Sequence, residues 1–201
     1  MELNPLTALS PIDGRYARQT DALRDIFSEC AFMNARVRVE VEWLISLSEA
    51  GFAELPHLSD HGKAFLRGLA DNFSLADCEA IKEIEKTTNH DVKAVEYWIK
   101  NQVAHDEELK SASEFVHFSC TSEDINNTSH AIMLKRGREA LADYLQQIHD
   151  TIAGFAHQWA EIPMLSRTHG QTASPTTVGK EFANVAVRLE RVIEAIRAVK
   201  I

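Results

Sequence analysis

An all-α fold is what the 201-residue sequence predicts. Apolar residues recur at intervals of three and four through most of the chain. No stretch alternates convincingly as a half-buried strand does, and capping residues stand where the periodic segments begin and end.

Taken in order, residues 21–50 carry Leu23, Ile26 and Phe27, then Val37, Val41, Leu44 and Ile45, at helical spacing, and Gly51 is a natural stop. Residues 59–72 and 75–86 read as two shorter helices opened by Ser59 and Ser74, whose hydroxyls suit the N-cap. Another helix is predicted over 91–104, where Val92, Val95, Ile99 and Val103 share a face. The second half changes character. Leu134, Leu141, Leu145, Ile148, Ile152, Phe155 and Trp159 form one seam; Val178, Phe182, Val185, Leu189, Val192, Ile196 and Val199 form another. Their period of about 3.5 residues is that of long helices packed side by side at a shallow angle. Ser174 as N-cap and Pro175 at the first helical position predict the start of the last helix. Its seam is still running at Ile201, so the sequence is expected to be an N-terminal piece of a longer chain. The expected organisation is an N-terminal helical domain over 1–112, followed by the first part of a long-helix bundle over 113–201. Such seams need covering by further helices, from more chain or from other subunits.

Composition excludes several classes. Lys and Arg number 21 against 30 Asp and Glu, a formal net charge of −9, which disfavours a nucleic-acid groove or an anionic membrane surface as partner. With 45% hydrophobic and 25% charged residues, the sequence has the make-up of an ordered globular protein. No apolar run approaches a membrane span. Cys30, Cys78 and Cys120 are odd in number and widely spaced, which predicts reduced thiols in a cytoplasmic protein.

Four polar clusters interrupt the helical pattern. Ser10-Pro11-Ile12-Asp13-Gly14-Arg15-Tyr16 presents a guanidinium beside a phenol, a pair suited to a phosphate or carboxylate, although a surface turn explains it as well. In Thr87-Thr88-Asn89-His90-Asp91, Thr88 and Asp91 fit a capping box, which leaves Asn89 and His90 without a structural reason. In the third cluster, His117 through Asn127, Thr121 with Asp124 again reads as a cap. There the free N–H groups of a helix start, with the hydroxyls of Thr121 and Ser122, make a ready anion site that His117 can join. The fourth is the connection Glu161–Ser174, long for a helix–helix loop, in which Arg167, Thr168, His169 and Gln171 crowd around Gly170. As an imidazole, His169 suits proton transfer. The remaining histidines read as surface residues, no HExxH pair occurs, and no metal site is predicted.

Together these clusters resemble the adenylosuccinate lyase family, in its bacterial branch, within the fumarase/aspartase superfamily. The segments Ser10–Tyr16, Thr87–Glu96, His117–Asn127 and Ser166–Gln171 match in the family's order. One departure is Ser119, where the superfamily often has glycine. The resemblance implies an all-α protein whose long helices join a core shared by a homotetramer. It implies elimination of fumarate from adenylosuccinate, giving AMP, and from the succinylated aminoimidazole carboxamide ribotide of purine biosynthesis. By the same resemblance His169 is the general acid, and Arg15 and Tyr16 hold the nucleotide phosphate. Asn89, His90, Asp91 and His117 line the pocket, Thr121 and Ser122 bind a succinyl carboxylate, and Gln171 contacts substrate. Neither metal nor organic cofactor is implied, and the partners are small nucleotides rather than nucleic acid or membrane. The family's catalytic serine, on a loop resembling Ser-Ser-x-Met-Pro-x-Lys-x-Asn-Pro, has no counterpart in these residues, so this chain alone is expected to be inactive. Two alternatives stay open: another fumarate-releasing lyase of the superfamily, and a non-catalytic helical scaffold.

Overall fold

The computed structural model describes residues 4–55 and 57–201, and within them helices dominate. After a 3₁₀ turn at Asp21–Leu23 come α1 (Arg24–Phe27), α2 (Glu29–Glu49), α3 (Asp60–Asp71), α4 (Leu75–Thr88), α5 (Asp91–Val103) and α6 (Glu107–Ala112). A second 3₁₀ turn at Ser113–Phe115 leads to α7 (Ser122–Gln158), β1 (Pro163–Thr168), β2 (Gln171–Thr177) and α8 (Val178–Ala198). Among the described residues no helix is long and apolar enough to cross a membrane. Contacts group the chain into two compact units, one ending at Leu134 and one spanning Lys135–Ile201, with α7 running through the boundary.

In the first unit α2 is the central element. Its Met33, Val37, Val41, Leu44 and Ile45 pack with Leu66 of α3, Ile81 of α4, Val95, Trp98 and Ile99 of α5 and Leu109 of α6. The predicted continuous helix over 21–50 is broken at Ser28, whose extended backbone ends α1 while its hydroxyl accepts the Ala31 N–H and caps α2. Gly51 does stop α2, at φ +80°. Ser59 caps α3 by accepting the Gly62 N–H, and Asp77 returns a bond to the Ser74 N–H at the start of α4, as the serine positions predicted.

Two further expectations about this unit are corrected. Cys30 of α2 and Cys78 of α4 are joined in a disulfide, with Cα atoms 5.7 Å apart, so only Cys120 is a free thiol. Parity and spacing carried no information on this, because the pairing depends on how α2 and α4 meet. The capping box expected from Thr88 and Asp91 is also absent: α4 continues to Thr88, Asn89 turns the chain in the left-handed region, and His90 caps α5.

In the second unit the predicted loop over 161–174 is a β-hairpin. The strands pair from Pro163↔Thr177 to Thr168↔Gln171, with an irregularity between Leu165 and Arg167. His169 (φ +50°) and Gly170 (φ +75°) form its two-residue tip, the backbone signature of a type I′ turn. Both faces of the hairpin are largely exposed, so its strands lack the apolar alternation that would have revealed them. Ser174 and Pro175 accordingly lie in β2 rather than starting a helix, and Thr177 caps α8. Gly179 lies against the end of α7, where a Cβ would overlap the Ala156 carbonyl oxygen and the Ala160 backbone. Its N–H donates to the Trp159 carbonyl at 2.9 Å. At this junction Phe155 stacks on Trp159, and Phe182 meets both rings edge-on. Along α7 Leu141 and Ile148, and along α8 Val185 and Val192 with Val199 just past its end, remain about half exposed at seven-residue spacing.

Candidate active site

Two of the predicted clusters meet in the first unit. At the α4–α5 junction Asn89 takes φ +50°, a conformation Asn tolerates better than most residues, and its N–H donates to Glu85. The turn aims His90 so that Nδ1 accepts the Lys93 N–H at 3.2 Å, capping α5. An accepting Nδ1 puts the proton of the neutral ring on Nε2, which lies 3.4 Å from Ser122 Oγ at the start of α7. One residue on, Asp91 receives the buried Arg36 guanidinium at 2.5 Å, and Arg36 Nε donates to Asn126 Oδ1 at 2.9 Å. Partial burial works against ionisation of Asp91, but the Val92 N–H and Arg36 outweigh it and hold the carboxyl below its ordinary range. The Arg36 guanidinium also lies 3.9 Å from the centroid of Phe32, which stacks on His130. Arg36 therefore ties the Asn89-His90-Asp91 turn to the first turns of α7.

The segment before α7 is held in an unusual backbone. His117 (φ +63°) and Ser119 (φ +59°) both occupy the left-handed region, which explains why a glycine suits position 119. Trp43 Nε1 donates to the Phe118 carbonyl at 2.8 Å and secures the bend. His117 Nδ1 lies 2.6 Å from Oε1 of Glu40, a residue of α2 with no solvent exposure. Burial pushes the Glu40 carboxyl above its ordinary range, against the lowering effect of the His117 hydrogen bond. Thr121 gives both its N–H (2.7 Å) and its hydroxyl (2.9 Å) to Asp124 Oδ2. These two bonds hold the Asp124 carboxyl below its ordinary range. The cap expected from Thr121 and Asp124 is therefore formed, and the same carboxylate occupies the Thr121 donors.

Arg15 and Tyr16 are exposed, with the guanidinium 5.4 Å from the Tyr16 ring centroid, and no hydrogen bond joins them to His90 or His117. Gly14, beside them, is buried because its Cα faces the Pro5 carbonyl, leaving no room for a side chain. His169 and Gln171 belong to the second unit, at and beside the exposed hairpin tip. A recess of about 500 Å³ between α2 and α7, lined by Arg38, Trp43, Cys120 and Asp124 among others, contains none of the residues singled out as catalytic or substrate-binding.

Arg36 and Glu40 escaped the sequence reading. They sit four apart, beside Val37 and Val41, and charged residues so close to the apolar stripe of a helix were the available signal. His57 and His61 are also four apart, but His57 precedes α3 and only His61 is helical, so they do not share a helix face.

A family model described as "Lyase" matches residues 14–200. The adenylosuccinate lyase of Vibrio cholerae serotype O1 is 53% identical over 203 residues, covering 100% of this chain and 44% of that protein. That of Haemophilus influenzae is 55% identical over 193 residues, covering 95% of this chain and 42% of its own. This chain thus spans less than half the length of the curated relatives it matches. Among solved structures, a fumarate lyase from Mesorhizobium sp. BNC1 superposes with a TM-score of 0.69 at 19% identity, covering 88% of this chain and 39% of that one, and shares the fold. Homologous along its whole length to bacterial adenylosuccinate lyases, the chain belongs to the lyase family of the fumarase/aspartase superfamily.

Proposed function

We propose that the whole protein is a C–N lyase that eliminates fumarate from adenylosuccinate, giving AMP, and from succinylated aminoimidazole carboxamide ribotide in purine biosynthesis. The observation that carries this reading is the 53% identity, along the full chain, to a protein named for the first of these reactions. In such an elimination a base takes a proton from the carbon beside a carboxylate while an acid protonates the departing nitrogen. His169 is the proposed acid: the hairpin tip holds its backbone in one conformation and presents the imidazole to solvent, where a substrate has access. Gln171, directly after the tip, is the proposed substrate contact. Arg15 and Tyr16 supply a cation and a phenol for the nucleotide phosphate. Asn89, His90, Asp91 and His117 form the pocket wall, and the His90–Ser122 approach at 3.4 Å supports a shared binding surface for a succinyl carboxylate with Thr121. For Thr121 to donate to a substrate, its bonds to Asp124 must open. Neither metal nor organic cofactor has a role in this scheme, because donors aimed at the substrate's own carboxylates stabilise the charge that develops there.

The exposed apolar lines of α7 and α8 support assembly into a homotetramer through a shared helical core. A cytoplasmic location follows from substrates of this kind, with no part for nucleic acid or membrane. The test is turnover of adenylosuccinate by the full-length protein, followed by ultraviolet absorbance, with His169→Gln beside it. The variant is expected to lose about 10²-fold or more in kcat. Undiminished turnover removes His169 from the mechanism, and a full-length protein that prefers another succinylated amine belongs to a sister activity. The 201-residue chain alone, without the serine loop, is expected to be inactive.

A further inference from the structure

We infer that Glu40 is a positioning residue for His117: its buried carboxylate accepts a hydrogen bond from Nδ1–H of the imidazole and leaves Nε2 as the nitrogen that meets the substrate. The inference rests on the reading of His117 as a pocket residue. Three observations support it. Glu40 Oε1 lies 2.6 Å from His117 Nδ1, while among the described residues Nε2 makes no hydrogen bond. The His117 backbone is itself constrained at φ +63°, so ring and main chain are both fixed. The third observation is that a merely structural Glu40 is hard to justify. It lies in a helix with no exposure, and its Oε2 is buried with no hydrogen-bond partner among the described residues. An apolar side chain of the same size would pack there without that desolvation penalty. Glu96 of α5, the other carboxylate whose charge bears on Glu40, is matched by Lys93 at 2.7 Å and Lys100 at 3.3 Å. Among the described residues Glu40 is matched by His117 alone.

The arrangement separates stability from function, and that separation is the test. In the full-length protein, Glu40→Met is expected to melt at or above the wild-type temperature while kcat/KM on adenylosuccinate falls about tenfold or more, the usual effect of losing an orienting partner. Glu40→Gln keeps an oxygen that can accept from Nδ1 and is expected to recover part of the loss. In a His117→Ala background, Glu40→Met is expected to add nothing, because its effect passes through the imidazole. An unchanged kcat/KM in Glu40→Met overturns the inference, as does a loss that tracks a falling melting temperature or recurs equally without His117. Should the Glu40 variants fail to fold, His117→Asn decides. Its amide nitrogen can still donate to Glu40, so the protein is expected to melt normally and turn over poorly, and full activity overturns the inference. A fully active His117→Ala overturns it too, by removing His117 from the pocket, whereas a protein inactive on adenylosuccinate fails at the proposed function instead.

Discussion

Replacing Arg36 by Met tests whether the turn at Asn89–Asp91 is held from below. The thioether keeps most of the stem volume and removes only the guanidinium. Lost with it are the 2.5 Å contact to Asp91, the 2.9 Å bond to Asn126 and the stacking on Phe32. A fully buried pair broken on one side costs about 3–5 kcal/mol, but the Asp91 side chain is 45% exposed and water can replace part of what Arg36 gave. A bond to a charged group is worth about 1.5–3 kcal/mol. The cation–π contact adds about 1 kcal/mol. Desolvation of the guanidinium, relieved in the variant, offsets part of this sum, so the expected net loss is about 2–3 kcal/mol. This chain spans 44% of the length of its relative, so for the full-length protein that is a fall in melting temperature of about 2–6 °C. Scanning calorimetry of the full-length protein reads it directly. Adding Asp91→Asn to Arg36→Met is expected to restore about 1 kcal/mol, since the carboxylate left without its cation is removed. A loss below about 0.5 kcal/mol would refute the reasoning, because surface substitutions already cause changes of that size.

Three other expectations follow from single features. Gly179→Ala places a methyl group against the Ala156 and Ala160 backbone and is expected to cost about 1–3 kcal/mol, read as a lowered melting temperature; an unchanged value refutes the close approach. The stability contributed by the lowered Asp124 carboxyl is present above its unfolded pKa of about 4 and is lost as pH falls through the folded value. Asp124→Asn should therefore differ from wild type at pH 7 and converge with it in acid, and a constant difference would count against the cap. Finally, the denatured chain is expected to titrate one thiol before reduction and three after it, and three thiols without reduction would refute the Cys30–Cys78 bond.

Much of this was legible in the sequence, for identifiable reasons. Helices packed on a core betray themselves by spacing, so α3, α4, α5 and α8 were found to within a few residues. The Ser59 and Ser74 caps were found because capping is chemistry local to a few residues. What escaped depended on contacts distant in sequence or on backbone without a buried face. The β-hairpin was missed because neither of its faces packs on a core, and because His-Gly is a rarer tip than Asn-Gly or Asp-Gly. Glu40 and His117 are 77 positions apart, so no local pattern could join them. The same holds for Cys30 and Cys78. Among the site residues, sequence located the polar clusters, while the fold supplied the charges beneath them.

The hairpin tip has a consequence for any attempt to improve this protein. A type I′ turn accepts Asn or Gly at the position His169 occupies with less steric cost than an imidazole. Selection for heat resistance alone would therefore drift towards Asn-Gly at residues 169 and 170 and erase the proposed acid while improving the fold. A library screened for survival and one screened for turnover should part company at this residue. A stabilised variant that keeps its histidine will owe its gains to other positions.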